Sequence, residues 1–183
     1  MPDVRDAIVR TASRVVYQNR WMRVREDGIL RGDDRPGIYG VIEKPDFVVI
    51  AAVQEQHIHL VEQFRYPVGA RFWELPQGAW ETDPNADPLE VARGELREET
   101  GLEAETMLCA GRLFEAYGYA TQSYHVFLAG GLRAGPSDPD PEEHDLIARA
   151  FPLSQVEAMV RDGTIRDATT VAALGLLRLH GLL

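Results

Sequence analysis

The sequence predicts an α+β fold in which a mixed β-sheet is flanked by helices as an α/β/α sandwich, and three observations carry the prediction. Strand-like runs precede, interrupt and follow the helical segments without the regular alternation of a doubly wound sheet. The run 47–53 is apolar throughout, as expected of a strand covered on both faces. With 183 residues and 45% apolar composition, the chain can fill one core and does not require two. Residues 1–183 are therefore read as a single domain, with residues 1–42 as an N-terminal β arm.

The elements follow in order. Residues 1–12 are mixed and charged, fitting a frayed helix or an arm. Strands are predicted at 14–17, 21–26, 38–42, 47–53 and 57–64, the first three antiparallel, with Asp33, Asp34, Pro36 and Gly37 marking a turn. His57, Ile58, His59 and Leu60 alternate in polarity, which places both histidines at exposed strand positions. A helix begins after Asp87, a capping residue followed by Pro88 at the first helical position and Glu90 at the third, and Gly101 stops it. Strands at 107–115 and 123–129 lead into a loop rich in Gly, Pro and Asp at 130–141. After a strand at 146–151, two helices close the chain: Ser154 and Glu157 in capping-box spacing open one that ends at Gly163, and Asp167 opens another that ends at Gly181.

Charge and cysteine content narrow the function. A net charge of −10 disfavours nucleic acid, because there is no excess of cations to displace its counterions. Small anionic ligands are compatible with that charge if an arginine or a metal offsets the local field. Cys109 is the only cysteine, which excludes an intrachain disulfide or a cysteine-rich metal site, fits core packing, and points to a reducing cytoplasm. The N-terminus has no apolar signal region, and no run approaches the roughly 18 apolar residues that cross a bilayer, so no membrane partner is expected.

The chemistry concentrates in Glu95, Glu98 and Glu99. On a helix turning about 100° per residue they sit near 0°, 300° and 40°, an arc of roughly 100°. Glu95 and Glu99 are a like-charged i,i+4 pair, which disfavours the helix unless something positive lies between them. A hard divalent cation bound by oxygen would resolve the conflict; a solvated acidic face is the alternative.

The segment Glu74-Leu75-Pro76-Gln77-Gly78, followed by Gly94-Glu95-Leu96-Arg97-Glu98-Glu99-Thr100-Gly101-Leu102, resembles the Nudix hydrolase signature G-x5-E-x7-R-E-U-x-E-E-x-G-U, where U is a bulky apolar residue. The last eight positions, from Glu95 onward, all match. Two positions depart from it. Gly78 and Gly94 are sixteen apart (94 − 78), where the pattern has fourteen, and its first Glu falls near Ala86 unless Glu81 or Glu90 substitutes. The Arg of the signature is Gly94, and Arg93 lies roughly 160° around the helix from Glu95, so it cannot stand in.

The resemblance implies that Glu95, Glu98 and Glu99, with the backbone carbonyl of Gln77, hold Mg²⁺ or Mn²⁺ against a pyrophosphate. It also implies hydrolysis of a nucleoside diphosphate joined to another group. Glu62-Gln63-Phe64-Arg65-Tyr66, Trp73-Glu74-Leu75-Pro76 and Ile165-Arg166-Asp167-Ala168-Thr169-Thr170 resemble the ADP-ribose pyrophosphatase branch, which implies ADP-ribose or a nucleotide sugar as substrate. By that likeness Arg65 contacts a phosphate, Glu74 faces the ribose or a metal, and Trp73 lies near the site. The catalytic base then comes from the acidic loop Pro141-Glu142-Glu143-His144-Asp145, as Glu142 or Glu143, with Glu98 in the catalytic set; His144 is the weaker candidate. Tyr117, a candidate substrate-binding residue that could stack on a base, stands where this branch often has Pro, and a Tyr there is more typical of enzymes acting on diadenosine polyphosphates. The resemblance also implies a homodimer formed through the N-terminal strands. The rival readings are a dinucleoside polyphosphate or RNA-end pyrophosphohydrolase, a nucleotide-sensing module without turnover, and a purely structural interaction protein.

Overall fold

The computed structural model describes residues 8–80, 83, 85–135 and 145–183. They form two compact units, one built from the described part of residues 1–46 with 114–123, the other from 47–113 with the described part of 124–183.

The first unit is a three-stranded antiparallel sheet, β1 (Val9–Gln18), β2 (Arg23–Leu30) and β3 (Pro36–Glu43), in that spatial order. Strand β1 already pairs at Val9, so residues 9–12, read as arm or frayed helix, are strand. Cross-strand ion pairs tie the sheet, Arg14 to Glu26 at 2.8 Å and Arg25 to Glu43 at 2.9 Å, and Arg25 also pairs with Asp27 two residues along β2. The Tyr39 hydroxyl donates to the Gly118 carbonyl at 2.6 Å and the Ile42 N–H to that of Tyr119 at 2.8 Å, which fastens residues 114–123 to this unit.

The second unit contains β4 (Phe47–Gln54), β5 (His57–Arg65), β6 (Ala70–Glu74), β7 (Gln77–Gly78), α1 (Pro88–Thr100), β8 (Leu102–Phe114) and β9 (Ser123–Ala134) apart from their end residues Phe114 and Ser123, β10 (Ile147–Pro152), α2 (Leu153–Asp162) and α3 (Ala168–Leu179). Its sheet runs β10-β5-β4-β9-β8, with β6 added to β5 and β7 to β4. The sheet is mixed: β4 and β9 are parallel, while β4–β5, β5–β10, β5–β6 and β4–β7 are antiparallel.

Central strand β4 shows why the run 47–53 is apolar on both sides. Val49 and Ala51 pack into one core with Val156, Ala173 and Leu177 of α2 and α3, whereas Val48, Ile50 and Ala52 pack into a second with Val91, Ala92 and Leu96 of α1. Period-2 alternation thus sends successive side chains to opposite helical layers, and the fold is the expected α+β arrangement of a mixed sheet between helices.

Several boundaries differ from the sequence reading. Strands β6 and β7 were not expected; β6 pairs with β5 and β7 with β4, and Pro76, which has no N–H to donate, lies where the chain passes from one to the other. β8 starts immediately after Gly101, and β9 continues through Gly130 and Gly131 to Ala134. Helix α2 begins at Leu153 behind Pro152 with no side-chain cap, so Ser154 lies within it and does not open it. Cys109 is exposed on β8 and does not pack in the core, because β8 is an edge strand of the sheet. The caps of the other two helices are as read: Asp87 accepts from the Leu89 N–H at 3.0 Å, and Asp167 accepts from Thr170 at 2.7 Å. Among the described residues, no helix is long and apolar enough to cross a membrane.

Candidate active site

Helix α1 carries the acids and is held by packing and by both ends. Val91, Ala92 and Leu96 bury one side, Asp87 caps the start, and Gly101, at φ +67°, ends it by donating to the Arg97 carbonyl at 2.8 Å. Two of the three carboxylates are buried: Glu95 is 6% exposed and Glu99 4%. Burying charge at such positions needs compensating polar contacts. The structure supplies one from a strap formed by residues 74–78 between β6 and β7: the Gln77 N–H donates to Glu99 Oε2 at 2.9 Å. Glu95 lies against Gly78, so closely that a Cβ on residue 78 would fall 2.5 Å from the Glu95 carboxyl carbon. A bare glycine leaves that carboxylate its space.

Three further bonds fix the strap. The Ile50 N–H of β4 donates to the Pro76 carbonyl at 2.9 Å. The Leu75 N–H donates to Thr170 Oγ1 at 2.9 Å in the buried interior, and that hydroxyl donates to Asp167 Oδ2 at 2.7 Å. The Gln77 amide reaches the same Asp167 oxygen at 3.4 Å. The start of α3 therefore holds the backbone that faces the acids of α1.

On the other side of the strap, Glu74 is 2% exposed and forms an ion pair with Arg65, whose Nε donates to Glu74 Oε2 at 3.2 Å; Gln63 donates to Oε1 at 3.2 Å. Burial pushes the Glu74 carboxyl above the usual carboxylate range, against the pull of Arg65. Burial pulls Arg65 toward neutrality, but Glu74, with weaker contributions from Glu99 and Asp167, more than reverses this and raises its pKa. Arg65 thus lies in the field of the same acids.

Arg65, Glu74, Gln77, Glu95 and Glu99 are accordingly brought together. Glu98, on the same helix, is more open, its side chain 26% exposed and 4.0 Å from Arg97. Among the described residues, no three carboxylate, imidazole or thiol groups already converge as a finished cation cage. The donors nonetheless suit a hard divalent cation, because carboxylate and backbone oxygens are the ligands such ions select. Trp73 points its indole into the core, edge-on to Phe151 at 4.8 Å between ring centres. Tyr117 is 84% exposed and belongs to the first unit. Glu142, Glu143 and His144 lie outside the described residues, as does Glu81.

Sequence reasoning gave Asp167 only a capping role and gave Thr170 none. Their spacing announces a cap, but nothing in it signals that the hydroxyl bonds a backbone N–H ninety-five residues earlier (170 − 75).

Comparison with known proteins places these observations. The family model described as NUDIX domain matches residues 43–174, and that described as nucleoside diphosphate sugar hydrolase N-terminal domain matches 8–42. Among curated relatives, an ADP-ribose pyrophosphatase of Mycobacterium tuberculosis is 35% identical over 144 residues, covering 78% of this chain and 68% of that protein. A methanol dehydrogenase activator of Bacillus methanolicus is 29% identical over 169 residues, covering 90% and 89%. A solved structure titled as that of an ADP compounds hydrolase superposes with a TM-score of 0.81 at 20% identity, covering 96% of this chain and 97% of that one, which shows a shared fold.

Proposed function

Because the chain belongs to the Nudix family, we propose that it hydrolyses a nucleoside diphosphate linked to another moiety, ADP-ribose or a nucleotide sugar, through attack of water on the pyrophosphate. The observation that carries this reading is the pair of buried acids, Glu95 and Glu99, set beneath the 74–78 strap with Arg65 in their field. Glu95, Glu98, Glu99 and the Gln77 carbonyl would hold Mg²⁺ or Mn²⁺, Glu98 being the most exposed of the three acids. When bound, such an ion neutralises the diphosphate and makes water a stronger nucleophile near neutral pH.

The chain's own residues do the rest. Arg65, with 39% of its side chain exposed, presents the uncommitted part of its guanidinium to a phosphate, and Glu74 fixes its orientation. Asp167 and Thr170 hold the strap so that Gln77 stays opposite Glu99. Glu142 or Glu143 accepts the proton of the attacking water as phosphorus–oxygen cleavage releases two monophosphates. The closely related M. tuberculosis protein, named an ADP-ribose pyrophosphatase, supports that choice of substrate.

A panel of ADP-ribose, nucleotide sugars, NADH and diadenosine tetraphosphate with Mg²⁺, read by product chromatography, tests the assignment. Preferred turnover of ADP-ribose or a nucleotide sugar is expected. Preference for diadenosine tetraphosphate would move the enzyme to dinucleoside polyphosphates, the reading Tyr117 favours, and no turnover of any compound would refute the proposal.

The protein is also proposed to be a homodimer through its first unit, where Val9, Val15, Val16, Tyr17 and Ile38 are 50–70% exposed. Sedimentation of a monomer at micromolar concentration would remove this assignment.

A further inference from the structure

We propose that Trp80 is a positioning residue: its indole, seated on Gly94, holds the 78–80 segment against α1 and thereby fixes the Glu95 carboxylate. The inference rests on the metal-dependent hydrolase reading above and goes beyond it by assigning a role to the position where the signature has arginine.

Gly94 lies in the middle of α1 and is buried. Glycine is the poorest helix former after proline, so its presence inside a thirteen-residue helix calls for a local reason. The reason is steric. A Cβ on residue 94 would lie 2.5 Å from Trp80 Cζ2, 3.2 Å from Cε2 and 3.4 Å from Nε1, so one edge of the ring occupies the space any side chain there would need. Real Cβ atoms do not approach heavy atoms below 3.0 Å.

The neighbouring helix position makes the reciprocal contact. Glu95 meets Gly78, two residues before Trp80, where a Cβ would fall 2.5 Å from the carboxyl carbon and 2.7 Å from Oε1. At adjacent helix positions, then, the large group comes once from the segment and once from the helix, and each faces a glycine. Trp80 also packs against the core that α1 shares with β4 and β9, so the ring is held by the interior as well as by Gly94. An arginine at 94 could not coexist with this ring. The chain has substituted a packed indole for a charged side chain beside the acids, and the close approach of Gly78 to Glu95 depends on it.

Four variants test the proposal: Trp80→Phe, Trp80→Ala, Gly94→Ala and the double variant Trp80→Ala/Gly94→Ala. Two quantities are read, the affinity for Mn²⁺ by calorimetry without nucleotide and the kcat and KM for ADP-ribose. Gly94→Ala, a better helix former that keeps the chain folded, is expected to weaken Mn²⁺ binding and lower kcat at least tenfold by lifting the ring. Trp80→Ala should do the same, and Trp80→Phe should stay within about threefold of the wild type. The double variant should be no worse than Trp80→Ala alone, since with the ring gone the added methyl meets nothing; such non-additivity is the signature of two groups in direct contact. Unchanged Mn²⁺ affinity in Gly94→Ala, or additive losses in the double variant, overturns the role of Trp80 while an active wild type leaves the proposed function standing. A wild type that takes up no Mn²⁺ and turns over no substrate overturns both.

Discussion

Replacing Thr170 with valine isolates one bond that the fold uses to hold its candidate site. The Thr170 side chain is fully buried, and its hydroxyl accepts from the Leu75 N–H at 2.9 Å while donating to Asp167 Oδ2 at 2.7 Å. Valine has the same shape and fills the same space, so no cavity forms. What changes is that the Leu75 N–H, which is buried, loses its acceptor. An orphaned buried donor costs about 1–3 kcal/mol, and loss of the bond to a charged carboxylate adds about 1 kcal/mol, since Asp167 keeps its other donors. The expected destabilisation is about 2–4 kcal/mol, or a fall in Tm of about 4–16 °C for a chain of this length. Thr170→Ser keeps both bonds and deletes one methyl, for which about 1 kcal/mol is expected. Urea unfolding followed by far-UV circular dichroism measures both. A valine variant within about 0.5 kcal/mol of the wild type, or a serine variant as unstable as valine, would refute the reasoning.

Other perturbations follow from the same geometry. Glu99→Gln keeps an oxygen to accept from the Gln77 N–H but removes a negative charge, so Tm without metal stays level or rises, Mn²⁺ no longer stabilises the protein, and turnover falls about 10²–10⁴-fold; an active Glu99→Gln would point to a solvated acidic face. Arg65→Met leaves Glu74 buried without its cation, which is expected to cost about 1–3 kcal/mol at pH 8, discounted because Arg65 is partly exposed. Since burial already raises the Glu74 pKa above 4.5, its favourable protonated contribution is present at low pH and lost as pH rises through the folded value. The variant should therefore lose stability more steeply than the wild type as pH rises above the ordinary carboxylate range, read by urea titration, and Glu74→Gln in the same chain should flatten the slope. His59 behaves in the opposite sense. Burial, then the charge of His57, lowers its pKa, so below about pH 6.5 the unfolded chain binds a proton the folded one resists, and stability falls with falling pH. Tm profiles of His59→Gln should be flatter than those of the wild type on the acid side of pH 6.5, and superimposable profiles would exclude this origin.

The parts of the fold legible in the sequence were those set by one local pattern. The apolar run around Ile50 announced a doubly covered strand, and Asp87, Pro88 and Gly101 bracketed α1 within a residue. Local signals also put Glu95, Glu98 and Glu99 on one arc of that helix. What stayed hidden depended on distant partners. Strands β6 and β7 are too short to carry a period, and they exist because β5 and β4 offer edges to pair with. Cys109 looked like a core residue because a small apolar side chain in a strand usually is one, and only the place of β8 at the sheet edge exposes it. Gly94 departs from the signature for a reason that only the fold supplies, the Trp80 ring seated on it. Thr170 falls in the segment that resembles the ADP-ribose branch, but nothing in the sequence shows its bond to Leu75, since a hydroxyl in the first turn of a helix serves equally well as a simple cap.

The acid cluster raises the question of why α1 tolerates it. A like-charged i,i+4 pair opposes a helix by about 0.2–0.5 kcal/mol at an exposed site, and burial of Glu95 and Glu99 enlarges that penalty. Against it, burying Val91 and Leu96 contributes about 1.5–3 kcal/mol each, and the Asp87 cap adds about 1 kcal/mol. Packing and capping therefore outweigh local repulsion, and the helix forms with its carboxylates held in an unfavourable arrangement. That arrangement is an advantage for chemistry that needs a cation: repulsion retained in the folded state is relieved when a positive ion enters. If the proposed cation binds there, part of the folding energy of the α1 layer would be converted into affinity for it, as expected where local charge rules are broken inside an otherwise consistent fold.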